Sequence, residues 1–183
     1  MKTLETKRLI LRPFAEADAK EVSALCNSYR VYISTLSLPY PYLEEHALSW
    51  IRLHKEWHEK ELRYEFALVV KETQQLIGAI GLSQNKQHQN GELGYWLGEA
   101  YWNKGYGTEA AQAILSFAFQ EKQYHKIFAL HFASNPASGR IMEKIGMTKE
   151  GYLKEQLFKE GKFEDIVRYG ILNQEWQEKT NIQ

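Results

Sequence analysis

The sequence predicts a mixed α/β fold: one sheet of seven strands flanked by about four helices. Three observations predict it. Apolar runs of strand length recur along the 183 residues. Stretches with helical spacing are interleaved with them. One of these stretches joins the strand-like run 92–98 to the run 126–132, the kind of crossover that parallel neighbours require.

The elements follow in order. Residues 7–13 (KRLILRP) alternate basic and apolar and stop at Pro13, which reads as an edge or entry strand. From Ala15 to about Asn27, Val22, Leu25 and Cys26 recur at helical spacing behind an acidic start. Residues 28–42, rich in Tyr, Ser and Pro, read as a loop. A second helix spans about 43–60, with Leu48, Trp50 and Ile51 toward the core. YEFALVV (64–70) and LIGAIGL (76–82) read as a hairpin, and ELGYWLG (92–98) as a further strand. A helix over 105–121 carries Ala110, Ala113, Ile114 and Phe117 on one stripe. KIFALHF (126–132) is a strand, and residues 136–145 form a short helix opened by Pro136. YLKEQLF (152–158) and FEDIVRYGIL (163–172) pair across Lys159-Glu160-Gly161. No repeat, low-complexity segment or linker divides the chain, so one domain over 1–183 is expected.

Composition narrows the function. Twenty-three Lys and Arg balance 23 Asp and Glu, which argues against a nucleic-acid binder. The 44% apolar share excludes a disordered tail. Cys26 stands alone, so no intramolecular disulfide forms. Its surroundings (SALCNSY) offer neither a His nor a Gly turn, and a buried helical cysteine is the favoured reading over a nucleophile. The first 21 residues are too charged for an apolar signal core, and no window suits a membrane helix. A cytoplasmic protein with no membrane partner is expected.

The sharpest local feature is WLGEAYWNKGYGTEA (96–110), a strand that leads through a loop into a helix. Gly105 and Gly107 stand where backbone N–H groups turn toward an anion at a helix N-terminus. A P-loop is excluded because Lys104 precedes the glycine. Gly105, Gly107 and Ala110 satisfy G-x-G-x-x-A, but seven residues separate Leu97 from Gly105, and KIFALHFAS ends without the acid that a dinucleotide site needs. His54 and His58 lie one helical turn apart, yet Lys55 follows His54 and no third ligand is evident. A solvated helix face is expected there, and no metal.

Three segments in order carry a resemblance. TKRLILRPF (6–14), GELGYWLGEAYWNKGYGTEA (91–110) and NPASGRIMEKIGM (135–147) with EGYLKE (150–155) resemble the GNAT superfamily of N-acetyltransferases, RimJ/RimL-like branch. The resemblance implies acetyl-CoA as cosubstrate and an amine as acceptor. It also implies that Trp102, Asn103, Lys104, Gly105, Tyr106, Gly107 and Thr108 wrap the pyrophosphate. Trp102 departs from the Gln or Arg often found at its position. Tyr95, Trp96 and Leu97 are implied as pantetheine contacts, with the Leu97 N–H stabilising an oxyanion. Asn135 is implied to hold the pantetheine arm, with a helix cap before Pro136 as its alternative. Ser138 is implied as the donor to the leaving thiolate, since Met142 replaces the Tyr many relatives place there. The Glu that RimL-like enzymes use as base corresponds to Leu157, so Glu92 is the substitute, with Glu155 or ordered water behind it. Tyr29, Tyr32, Tyr40 and Tyr42 crowd the loop that walls the acceptor site in the family. Oligomeric state stays open, a homodimer being common among relatives.

The expected function is direct acetyl transfer to a primary amine, either a protein N-terminus or a small amine. The alternatives are a catalytically weak CoA-binding module or sensor, and a protein-interaction domain without cofactor.

Overall fold

The computed structural model describes residues 2–180. Strands β3 (Arg63–Val70) and β4 (Leu76–Ser83) are buried along nearly their whole length, which is why their sequences are apolar throughout instead of alternating. Around them lie β1 (Leu4–Glu5), β2 (Leu9–Arg12), β5 (Asn90–Leu97), β6 (Lys126–Phe132), β7 (Thr148–Lys159) and β8 (Lys162–Leu172). The spatial order is β1-β2-β3-β4-β5-β6-β8-β7. Every neighbouring pair is antiparallel except β5 and β6.

Helices cover both faces. On one side lie α1 (Ala19–Cys26), α2 (Tyr29–Ser34) and α3 (Glu44–Glu59); α4 (Tyr106–Ser116) and α5 (Pro136–Lys144) lie on the other, and α6 (Asn173–Thr180) follows β8. Two apolar cores result. Leu93, Leu97, Ala110, Ile114, Ile127 and Met142 belong to the core beneath α4 and α5, while Val22, Cys26, Ile51, Ala67 and Val69 belong to the core beneath α1 and α3. Burial pushes the Cys26 thiol up to about 12, which leaves it protonated and inert as a nucleophile.

The mixed sheet with its crossover helix is as expected, with one strand more. The two-residue β1 pairs Leu4 with Leu11 and covers β2, so β2 is not the edge. A second difference is α2, which falls where a loop was expected. Ser28 caps it by accepting the Val31 N–H, and such a cap outweighs weak helical composition over one and a half turns.

Strands β5 and β6 pair only at Asn90, Gly91 and Glu92, opposite Lys126, Ile127 and Phe128. Beyond Glu92 they part, while β5 stays paired with β4 as far as Leu97. The resulting wedge-shaped gap, bridged by no backbone bonds, opens toward the start of α4.

The histidine pair on α3 is not a solvated face. His54 sits among Phe14, Trp50 and Trp57, with ring centroids 4.4 to 5.5 Å away, and both its nitrogens are buried with no partner among the described residues. Burial, helped by the Arg63 charge, lowers its pKa to about 4. The unfolded chain therefore binds one more proton between about pH 6.5 and 4, and stability falls as pH drops through that window. We expect a loss on the order of 2–3 kcal/mol from this group. His54→Phe should remove it, so urea midpoints measured at pH 7 and pH 4.5 should differ less in the variant than in the wild type. No helix among the described residues is long and apolar enough to cross a membrane.

Candidate active site

The site begins with the free edge of β5. Gly98 N–H bonds to the Ile77 carbonyl on β4, so strand alternation turns the N–H groups of Tyr95 and Leu97 the other way, into the gap. Trp102 closes the end of this edge by donating its indole N–H to the Leu97 carbonyl at 2.8 Å. That bond fixes the strand end relative to the loop while leaving the Leu97 N–H free for a ligand.

The loop then turns through two left-handed residues, Asn103 (φ 60°) and Gly105 (φ 81°). Gly105 is the N-cap of α4, and its conformation is one that only glycine adopts readily. A Cβ there would also stand 3.2 Å from Arg8 Nη2. Arg8 staples the loop: Nη1 donates to the Lys104 carbonyl at 2.9 Å, and the guanidinium lies 4.6 Å from the Tyr106 ring centre. Its Nε meets Glu109, whose carboxylate also accepts from Thr6 Oγ1 and from the Arg8 backbone. Burial opposes ionisation of Glu109, but these hydrogen bonds hold its carboxyl below the usual range. The acid in the first turn of α4 is thus already matched and does not repel an incoming anion.

Gly107 serves packing. Its missing Cβ would lie 2.9 Å from Ile141 Cδ1, so the glycine lets α5 close against α4. Lys104 also departs from expectation. Its ammonium lies 5.6 Å from the Tyr101 ring centre, and Lys104 does not line the cavity at the gap. Trp102, Asn103, Gly105, Tyr106, Gly107 and Thr108 do line it. Positive charge enters instead from Arg140 and Lys144, one turn apart on α5; Arg30 on α2 also lines the cavity, with its guanidinium paired to Glu99.

On the far side of the gap, Tyr95 Oη lies 2.8 Å from Ser138 Oγ and 3.1 Å from the Ser138 carbonyl oxygen. Burial pushes the Tyr95 phenol up to about 12, so it keeps its proton. The phenol donates to the Ser138 carbonyl oxygen, and in the shorter contact with Oγ either hydroxyl can be the donor. Asn135 is the N-cap residue of α5, but its side chain makes no capping bond; the amide donates to the Ser34 carbonyl at 3.2 Å and ties α2 to the start of α5. Lys159 reaches the same helix from β7, donating to the Tyr32 carbonyl at 2.6 Å.

Two cavities flank the gap and share Ser34, Thr35, Tyr95, Trp96 and Ser138. One, of about 450 Å³, runs along the glycine loop. The other, of about 560 Å³, lies under α3, and Glu92 lines it together with Arg63, Glu65, His131 and, besides the shared Tyr95 and Trp96, Tyr42, Trp50, Trp57 and Phe132. His131 Nδ1 lies 2.7 Å from the Phe132 carbonyl, which can only accept, so Nδ1 donates, and Nε2 is buried against Gly139 of α5. Glu155 is elsewhere, exposed in an irregular stretch of β7 with its N–H on Asp165. Of the four tyrosines expected to wall the acceptor site, only Tyr42 lines this cavity. Tyr29, Tyr32 and Tyr40 pack on one another, with centroids 5.3 to 5.9 Å apart.

A family model described as an acetyltransferase (GNAT) domain matches residues 8–148. The chain belongs to the GNAT acetyltransferase family. The N-acetyltransferase YnaD of Bacillus subtilis (strain 168) is 33% identical over 175 residues, covering 94% of this chain and 98% of its own. The crystal structure of a GNAT-family acetyltransferase from Bacillus anthracis superposes with a TM-score of 0.82 at 28% identity, over 94% of this chain and 99% of that one. The ribosomal L7/L12 α-N-protein acetyltransferase RimL, solved with coenzyme A, shares the fold at a TM-score of 0.85 and 16% identity, over 93% and 98% of the two chains. Ribosomal-protein N-acetyltransferases also stand among the sequence relatives, which bears out the RimJ/RimL-like resemblance.

Within this GNAT fold, sequence reasoning missed the phenol of Tyr95 as the partner of Ser138, the cations Arg30, Arg140 and Lys144, and the Arg63–Glu65 pair. A helical i, i+4 reading of Arg140 and Lys144 beside the NPAS start of α5 was the available signal. The other contacts span long sequence distances and leave no local pattern.

Proposed function

We propose that this GNAT acyltransferase moves the acetyl group of acetyl-CoA directly to a primary amine. The observation that carries the reading is the gap between β5 and β6. It presents the free N–H groups of Tyr95 and Leu97 and opens on one side to the glycine loop. On the other side it opens to a cavity lined by Glu92, whose carboxylate has no hydrogen-bond or ion-pair partner among the described residues.

The residues present fit acetyl-CoA. The free edge of β5 offers hydrogen bonds to an amide-bearing arm. The start of α4, with Arg140 and Lys144, offers the positive field that a pyrophosphate and a phosphate require. When bound, acetyl-CoA supplies a thioester as the activated acyl donor. The Leu97 N–H is placed to meet the oxygen that gains charge. Glu92 takes a proton from the acceptor ammonium, and Ser138 donates toward the departing sulfur. A thiol of ordinary pKa near 8.5 leaves without strong acid help, so the Ser138 contribution is modest.

Ser138→Ala should therefore lower kcat by roughly 10-fold while leaving CoA affinity unchanged, as read from thiol release and calorimetric titration. A loss of CoA affinity in the same variant would make Ser138 a binding residue instead. A protein-interaction domain without cofactor predicts no gain in melting temperature when CoA is added, whereas acetyl-CoA binding in the gap predicts a concentration-dependent rise.

A further inference from the structure

Side chains at Arg63 and Glu65 of β3 point to the same sheet face as Gly81 of β4 and Glu92 and Gly94 of β5. The register that aligns Glu65 with Gly81 and Gly81 with Gly94 sets this arrangement. The two glycines leave a bare channel across the sheet. The Glu65 carboxylate fills its first half, its oxygens 2.4 and 2.5 Å from where a Cβ on Gly81 would stand. Arg63 fills the second half, with Nη2 4.0 Å from the corresponding point on Gly94. The guanidinium thus lies over β5 at Gly94, two residues along from Glu92.

The pair is built asymmetrically. Glu65 is 3% exposed and Arg63 42% exposed, so the carboxylate is a buried anchor and the guanidinium is its presented end. Arg63 Nε donates to Glu65 Oε1, and the Trp57 ring stands 5.7 Å from the guanidinium carbon. Burial raises the Glu65 pKa, and the neighbouring Arg63 charge opposes that rise. With Nε taken, the two Nη groups have no hydrogen-bond partner among the described residues. They form the edge of the guanidinium fork that grips a carboxylate in two parallel bonds.

We propose, on the footing of the acetyl-transfer reading, that Arg63 binds a carboxylate of the acceptor, which is therefore a small amino acid. Glu92, about 7 Å from Gly94 along the strand, receives its ammonium, so the two opposite charges match a molecule that carries both close together. Glu65 is a positioning residue that sets the plane of the fork. A polyamine fits poorly, because its second ammonium would meet the guanidinium. A peptide N-terminus offers an amide where Arg63 presents its fork. The aromatic walls of Tyr42, Trp50 and Trp57 favour an apolar or aromatic amino-acid side chain.

The test is thiol release with a panel of free L-amino acids, the same amino acids as carboxamides, and spermidine. For the wild type, kcat/KM should be about 100-fold higher for the acids than for their amides, carried mainly by KM. Arg63→Gln should bring acids and amides within about threefold of each other, with CoA affinity unchanged. The double variant Arg63→Gln with Glu65→Gln leaves no buried carboxylate without its counter-ion, and should give the same result if the single variant is unstable. Equal rates for acids and amides in the wild type, faster turnover of spermidine, or an acid preference that survives loss of Arg63 would each overturn the proposal and leave acetyl transfer standing. Bound CoA with no transfer to any amine would overturn both.

Discussion

Glu92→Gln should slow the reaction about 100-fold at pH 7 and recover much of that loss near the pKa of the acceptor amine. Glu92 is the last residue of β5 to pair with β6, opposite Phe128, just before the two strands part. Its backbone is held through Ser83 Oγ, which accepts from the Glu92 N–H at 3.1 Å, so the side chain springs from a fixed point into the cavity. Gln keeps that shape and cannot accept a proton from an ammonium. At high pH, solution supplies free amine and the base is no longer needed. A positioning role predicts a deficit that is the same at every pH. The measurement is kcat/KM from pH 6 to 10 for both proteins, and wild-type rates at pH 7 in the variant would remove Glu92 from the role.

The second large effect is expected at the glycine loop. Gly105→Val should weaken CoA binding by at least about 2 kcal/mol, or roughly 30-fold. Two separate costs add here. A β-branched residue at φ 81° is strained whatever the space around it, and its side chain would press on the Arg8 guanidinium that staples the loop. The fold should survive, because the residue is exposed and no core contact depends on it. Calorimetric titration with CoA and a melting curve of the free variant check both halves. Unchanged affinity in a folded variant would sink the anion-site assignment.

The sheet and the loop were legible in the sequence because both rest on local chemistry. Periodicity identified β3 to β6 and α4, and Gly105 and Gly107 marked the loop that leads into that helix. Gly107 was legible as a required glycine but not for its reason, since Ile141 approaches it from α5, 34 positions along the chain. Helix α2 was hidden because Tyr, Ser and Thr around it score as loop, and its stability comes from the Ser28 cap and from Asn135 and Lys159, both over 100 residues away. Lys104 misled for the opposite reason. A lysine beside a glycine loop suggests a phosphate contact, but the backbone turn at Asn103 and Gly105 sends its side chain over Tyr101. Arg63 and Glu65 read as ordinary polar residues opening a strand. Only the register across β4 and β5 reveals that two glycines make room for them.

The most direct measurement is to incubate the protein with acetyl-CoA and a broad amine panel, following free thiol and the mass of each amine together. Direct transfer predicts that thiol appears only when a suitable amine is present, in equal amount to the acetylated product, with no acetyl group left on the protein. Tight CoA binding, shown by heat protection, with no acetylated amine across the panel would contradict it and leave a CoA-binding module in its place.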